Sequence, residues 1–163
     1  MKSNIVFILL ILFFMFSKAP IIANNFKLAD KVIQNKTVEV IETREKMSFP
    51  PKSRAIAIFW TTTCGPCKLE MMRLKNSVKA GKISKDQIFA INPFEAENTT
   101  RIFLKKENFP FTFINDPDTA FEVEVKATPT VLFLDNGKIK SASTGISLTG
   151  IYSAENFLKG HSK

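Results

Sequence analysis

The chain has 163 residues, 45% of them apolar, with 23 Lys and Arg against 15 Asp and Glu, for a formal net charge of +8. That length suits one domain with a real hydrophobic core. The basic residues are dispersed, with no aromatic-interleaved patch, which argues against a nucleic-acid partner; two cysteines and one histidine, His161, are too few for a zinc centre.

The first residues read as a secretory signal. Lys2 supplies a short positive region, Ile5 to Phe16 is an unbroken apolar run, and Ile21-Ile22-Ala23 can end a cleavage site. A bilayer span takes roughly twenty apolar residues, and Lys18 and Pro20 interrupt any extension of this run. An uncleaved anchor that tilts or thins the membrane is the alternative. No cysteine follows the run, so a lipid-anchored form is not expected. The expected division is a signal segment 1–23 and one folded domain 24–163. Removing Lys2 and Lys18 with the signal would leave a charge of +6. The even spread of lysines then describes a soluble surface with mild attraction to anionic partners.

Within the domain, Phe26 to Ile33 has a weak helical pattern, and Thr37 to Ile41 alternates as an edge strand would. Pro50-Pro51-Lys52-Ser53 is a turn. Ala55 to Phe59 is a short continuous apolar run, as in a central strand buried on both faces. Cys67 to Lys79 predicts a helix, with Leu69, Met72, Leu74 and Val78 inward and Gly81 as its stop. Gln87 to Ile91 predicts a strand, and Ala96 to Glu107 a helix with Ile102, Phe103 and the following Phe109 on its apolar side. Phe111 to Ile114 predicts a short strand, Asp116-Pro117-Asp118 a turn, and Thr119 to Val123 a short helix. Thr130 to Leu134 and Ile139 to Ser143 flank Asn136-Gly137, a two-residue hairpin signal. Gly145 to Gly150 is a loop, and Ser153 to Leu158 a terminal helix. Parallel β-α units come first and a hairpin last. The implied fold class is α/β, a mixed sheet with helices on both faces.

The chemistry concentrates in FWTTTCGPCK, Phe59 to Lys68, which holds both cysteines. A dithiol where a buried strand passes into a helix start is a redox device. Unpaired N–H groups and the positive dipole end favour a thiolate, and the thiolate attacks disulfides. Gly65 permits a tight turn, and Pro66 suits the first turn of a helix. Cys64, at the helix entrance, is the expected nucleophile. Cys67, one turn in, is the expected resolving thiol. A purely structural disulfide is the bland alternative, but a bond across two residues closes almost no loop entropy. With no other cysteine pair available as a staple, the dithiol is left for chemistry.

FWTTTCGPCK resembles the active-site segment of the thioredoxin superfamily, and ATPTVLFLDNGKI, Ala127 to Ile139, resembles its second signature. The resemblance covers Ala55 to Leu158 and implies a thioredoxin-like fold with a cis proline, Pro129, beside the dithiol. It is nearest to the exported thiol-disulfide oxidoreductases of the TlpA and ResA type. The signal segment, Glu70 three residues after Cys67, and the segment INPFEAENTTRIFLKKENFPFTFINDPDTAFEVEVKATPT between the parallel units point there. There are departures. Ile58 stands where cytosolic thioredoxins carry a buried Asp, Met72 where the TlpA type has Pro, and Thr63 where an aromatic often precedes the first cysteine.

The resemblance implies a catalytic set of Cys64, Cys67, Glu70 and Pro129. It implies substrate contacts at Trp60, Gly65, Pro66 and Thr128. Glu70, on the helix face of Cys67, would accept its proton, although acidic residues favour early helix turns for dipole reasons alone. Trp60 would shield the site and join the partner surface, or simply be a core aromatic. Pro129 would offer backbone groups to a bound peptide as a short strand addition. Thr128 would tune the dithiol through its hydroxyl, or serve β propensity only. Lys68 reads as a solvated helix lysine, and His161 as incidental.

The expected protein is an exported, monomeric protein-disulfide oxidoreductase needing no cofactor and no metal. Its partners are clients bearing disulfides or thiols. The Gly-Pro pair resembles reducing thioredoxins, and the TlpA type keeps exported thiols reduced, as in cytochrome c maturation. A reductase outside the cytoplasm would need a membrane electron donor. The alternatives are an oxidase or isomerase, a copper-handling protein using both soft thiolates, and a non-catalytic interaction module. Ala57 stands where the peroxiredoxin pattern needs proline, which argues against a peroxidase.

Overall fold

A computed structural model describes residues 2–160 of the chain; His161 lies outside them. Seven strands form one sheet: β1 (Lys36–Val40), β2 (Lys46–Phe49), β3 (Ala55–Phe59), β4 (Ile88–Ile91), β5 (Thr112–Asn115), β6 (Thr130–Asp135) and β7 (Lys138–Thr144). The spatial order is β2-β1-β5-β4-β3-β6-β7. Strands β3, β4 and β5 run parallel, and the remaining neighbours are antiparallel. Five helices accompany the sheet: α1 (Lys2–Leu28), α2 (Gly65–Lys79), α3 (Glu97–Glu107), α4 (Pro117–Glu122) and α5 (Gly150–Leu158). This is the mixed α/β, thioredoxin-like architecture expected.

Strand β3 explains the layering. All five of its residues are buried, because it is paired on both edges and covered on both faces. Ile56 and Ile58 point into a core with Cys67, Met71 and Leu74 of α2, Leu104 of α3, and Ala154 and Leu158 of α5. Ala55, Ala57 and Phe59 point the other way, into a core with Ala120 of α4 and Leu28 at the end of α1. Period-two alternation along one strand thus supplies two cores.

The punctuation follows local chemistry. Asn136 and Gly137 both take positive φ, 51° and 77°, the two-residue turn whose twist matches a hairpin. A side chain at Gly137 would also press on Pro50, 3.1 Å from its Cγ. Helix α2 ends at Lys79 and is capped by Ala80; just beyond, Gly81 takes φ 67°, its N–H donates to Val78 O and Lys82 N–H donates to Ser77 O, both at 3.0 Å. That double bond pattern satisfies carbonyls the helix leaves free. Asp116 caps α4 by accepting from Thr119 N–H.

Four expectations are corrected. Strand β1 is not an edge, because β2 lies outside it, with Lys36 opposite Phe49. On α2 the inward residues are Cys67, Glu70, Met71, Leu74 and Ser77. Leu69 and Met72 are 42% and 47% exposed. Cys67 points into the core, and helical spacing from it selects positions 70, 71 and 74. On α3, Ile102 is exposed, and Thr100 and Leu104 are buried instead. Helix α1 runs without a break past Ala23 to Leu28, so the segment Phe26 to Ile33 is helical only over its first three residues, turns at Ala29–Asp30 with Asp30 at φ 70°, and then bridges β7 through Val32. Ile33 N–H there reaches Gly137 O at 3.0 Å. Among the described residues, no helix is long and apolar enough to cross a membrane.

Candidate active site

The ladder between β3 and β4 continues one step past the strand ends. Trp60 N–H donates to Ile91 O at 3.1 Å, which carries the chain to the end of the sheet. A turn follows, Cys64 N–H to Thr61 O at 3.2 Å, and α2 begins. Cys64 is its N-cap, with extended backbone (φ −82°, ψ 98°). Cys67 N–H donates to Cys64 Sγ at 3.1 Å. The sulfur therefore does the work a serine or aspartate oxygen does at other caps. Cys64 and Cys67 are joined in a disulfide, their Cα atoms 5.2 Å apart. Cys67 is fully buried, whereas Cys64 is partly exposed.

Gly65 and Pro66 are exposed and open α2. Gly65 has no positive φ, and a Cβ there would meet nothing within 4 Å. The tight-turn reason for Gly65 is therefore corrected: it leaves open space beside Cys64. Pro129 is buried and follows a cis peptide bond from Thr128. Strand β6 is antiparallel to β3, with Thr130 opposite Phe59. Pro129 therefore leaves the sheet at the same end as the dithiol. Its carbonyl accepts from Gly145 N–H at 2.8 Å. Thr130 Oγ1 ties the same bend by donating to Ala127 O at 2.7 Å.

Glu70 is 5% exposed, one turn beyond Cys67 on the inward face of α2. It lies in a narrow cleft among Leu74, Val131, Phe133, Ser143 and Gly150. Burial pushes its pKa above the ordinary carboxylate range, and Arg73 only partly opposes this. Arg73 Nη1 lies 3.5 Å from Glu70 Oε2 and donates to Ser147 O at 3.1 Å. The loop before α5 is thereby tied over the carboxylate. A Cβ on Gly150 would come within 2.9 Å of Glu70 Oε1.

Trp60 is fully buried, its ring 5.1 Å from that of Phe103 and 5.5 Å from that of Phe113. The expectation that it joins the partner surface is corrected, for it is a core aromatic under the site. Ile58 is likewise fully buried. Lys68 forms an ion pair with Glu107 at 2.6 Å, so its charge serves the α2–α3 junction. Thr128 is partly buried beside Pro129. Among the described residues, no group of three or more His, Cys, Asp or Glu is placed to hold a metal.

Sequence reasoning missed Glu95. It accepts from Thr62 N–H at 2.7 Å and from Thr62 Oγ1 at 2.6 Å, and also from Asn92 Nδ2. Burial works against its charge, but the two Thr62 bonds and the Asn92 bond together hold its carboxyl below the ordinary range. Asn92 in turn reaches Thr100 of α3 at 3.1 Å. Glu95 thus fastens the loop before Cys64 to the loop after β4. The available signal was a carboxylate just beyond Asn92-Pro93, at the sheet end where β3 also stops.

Comparison with known proteins agrees with this geometry. Residues 26–158 match the family model described as Redoxin. A thioredoxin-like protein of Haemophilus influenzae is 27% identical over 92 residues, 55% of this chain and 53% of that protein. The match therefore spans about half the length of that relative. Among solved structures, a Chlorobium tepidum protein assigned as the thiol:disulfide interchange protein DsbE superposes with a TM-score of 0.68 at 21% identity, covering 82% of this chain and 96% of that one. StoA of Bacillus subtilis gives 0.65 at 19%, covering 78% and 98%. A thiol-disulfide oxidoreductase of Bacteroides fragilis gives 0.60 at 21%, covering 76% and 98%. The chain belongs to the Redoxin family, and its fold is that of the thioredoxin-like thiol-disulfide oxidoreductases.

Proposed function

We propose that this protein is an exported thiol-disulfide oxidoreductase that reduces disulfides in client proteins. The observation that carries the reading is the Cys64–Cys67 disulfide at the start of α2, with one sulfur partly exposed and the other buried, at the sheet end of Pro129. In the dithiol form, the Cys64 thiolate attacks one sulfur of a client disulfide. A Cys64–client bond forms, and the other client sulfur leaves as a thiolate that takes a proton from water. The Cys67 thiolate then attacks Cys64 Sγ, closing the internal disulfide and releasing the second client thiolate. Two electrons pass to the client, and the enzyme ends in the disulfide form seen here.

Cys67 must lose its proton inside the core. Glu70, buried one turn away with a raised pKa, is the group we assign to accept it. Pro129 and Thr128 flank the path of the client strand, with Gly65 and Pro66 on the other side. Restoring the dithiol takes an external dithiol donor, which for an exported protein is a membrane protein. Export rests on the Lys2, Ile5–Phe16 and Ala23 pattern. The protein acts as a monomer in this reading.

The test is insulin reduction with dithiothreitol as donor, together with the midpoint potential against glutathione. Turnover with a potential near the thioredoxin value of about −270 mV supports a reductase, and a value near about −120 mV makes the protein an oxidant. No turnover, with an intact fold, would overturn the enzymatic reading. Mass spectrometry of native protein should place the N-terminus at Asn24; an intact Met1 on membrane-bound protein would make it tethered instead.

A further inference from the structure

Two aromatic side chains stand in water at the exchange end of the sheet. Phe94 is 58% exposed and Phe121 is 89% exposed. Between them lies a cleft of about 460 Å3 lined by Pro93, Phe94, Pro117, Ala120, Phe121 and Val125. Exposed apolar clefts of this kind mark interaction sites. A cavity of about 630 Å3 between Val40–Met47 and Pro110–Thr112 lies at the other end of the sheet, where β4 and β5 begin, and has no connection to the dithiol.

Both walls of the Phe94–Phe121 cleft lead to the dithiol. Phe94 immediately precedes Glu95, which holds Thr62, two residues before Cys64. On the opposite wall, Val125 is followed by Lys126, Ala127 and the Thr128–Pro129 bend. The floor is firm, since Ala120 packs in the core beneath α4. On the rim, Lys126 pairs with Glu124 at 3.2 Å, so the two charges offset each other and the mouth favours an uncharged occupant. A cleft of about 460 Å3 takes a group of drug-like size, here a bulky side chain with its flanking backbone, and is too small for a folded element.

We propose that this cleft is a client-docking subsite that takes one bulky apolar side chain, aromatic or long aliphatic, near the reacting cysteine of an extended client polypeptide. The proposal rests on the protein-disulfide exchange reading. Because its walls run on to Thr62 through the Glu95 bonds and to the Thr128–Pro129 bend along the chain, a client strand lying over Cys64 and Pro129 would bring its neighbouring residues within reach of the cleft. Phe94 and Phe121 then set which disulfides are reduced fastest, without touching the reacting sulfurs.

The test uses the full chain with dithiothreitol as electron donor. The probes are short peptides carrying one cysteine as a mixed disulfide with a chromogenic thiol. Phe, Leu, Ala or Asp is placed in turn at each position within three residues of that cysteine. Hydroxyethyl disulfide, which has no side chain to dock, serves as control. At one position, Phe and Leu peptides should have kcat/KM about tenfold above the Ala peptide, with Asp lowest. Phe94→Ser combined with Phe121→Ser should erase that preference and leave hydroxyethyl disulfide turnover and the thermal melt unchanged. Absence of any preference in the parent protein, or its persistence in the double variant, would overturn the subsite while leaving the exchange reading intact. Failure of the parent protein to turn over hydroxyethyl disulfide would instead remove the exchange reading, and this proposal with it. Sedimentation that changes in the double variant while peptide preference stays would assign the cleft to a second copy, whose α1 exposes Phe7, Phe13, Phe16 and Phe26, and overturn the client assignment.

Discussion

Replacing Glu95 by Ala should loosen the loop that presents Cys64. The carboxylate accepts from Thr62 N–H, Thr62 Oγ1 and Asn92 Nδ2. Hydrogen bonds to a charged group contribute about 1.5–3 kcal/mol each, but these three share one part-buried group that water can partly replace. The net loss is therefore about 2–3 kcal/mol. For a chain of this size that lowers Tm by roughly 4–12 °C. Glu95→Gln should lose about half as much. Its oxygen, at the Oε2 position, can still accept from both Thr62 N–H and Asn92 Nδ2, and its amide can donate to Thr62 Oγ1, so what it loses is the charge that strengthens these bonds.

The pH dependence of the Glu95 bonds has a definite sign. The bonds hold the folded carboxyl below its ordinary value, so their stabilisation is fully present above the unfolded value of about 4.3. It is lost as pH falls through the folded value. Melts of the parent and Glu95→Ala proteins at pH 7 should differ, and should converge in strong acid. Iodoacetamide labelling of the reduced proteins should show a changed Cys64 rate in the variant. A Tm deficit under about 1 °C, or one of equal size at pH 7 and in acid, would refute the assignment of these bonds to a charged clamp.

Cys67→Ser should accumulate mixed disulfides with client proteins, visible on non-reducing gels, whereas Cys64→Ser should trap almost none; faster alkylation of Cys67 at neutral pH would reverse the roles. Glu70→Gln should flatten the pH dependence of Cys64 alkylation and slow resolution. Because burial raises the folded pKa of Glu70, its charged form costs stability as pH rises through that value, so Glu70→Gln should gain stability at neutral pH and none in acid. Superimposable alkylation profiles would leave Glu70 a helix residue only. Gly137→Ala should cost at least about 1 kcal/mol in urea titration, from its φ of 77° and the contact with Pro50; an unchanged midpoint would contradict the turn geometry.

What was readable in the sequence was local. Ala55–Phe59, the Asn136-Gly137 hairpin and the dithiol at a strand-to-helix passage each carry their signal within ten residues. Strand β2 does not: Lys46-Met47-Ser48-Phe49 has too few apolar positions to stand out, and pairing with β1 makes it a strand. Hydrophobicity alone sets the wrong phase for α2, because it favours Leu69 and Met72 over Glu70 as inward residues. The structure buries the carboxylate and leaves those two side chains outside. Glu95 and the Phe94–Phe121 cleft depend on segments more than twenty residues apart meeting at one end of the sheet, which no window on the chain reveals.

Strand β7 lies at one end of the sheet order, yet part of its outer edge is not left open. Asp30 N–H bonds Ile139 O and Ile139 N–H bonds Lys31 O, each at 2.8 Å, and Val32 bridges Lys138. Asn25 Oδ1 accepts from Thr144 Oγ1 further along the same strand. Every one of these groups lies after Ala23. Cleavage there would shed the apolar leader and still leave a selvedge on β7. The freed protein would keep that stretch of strand unavailable to neighbouring chains, a safeguard against fibre-like stacking in a fold with no second disulfide to fall back on.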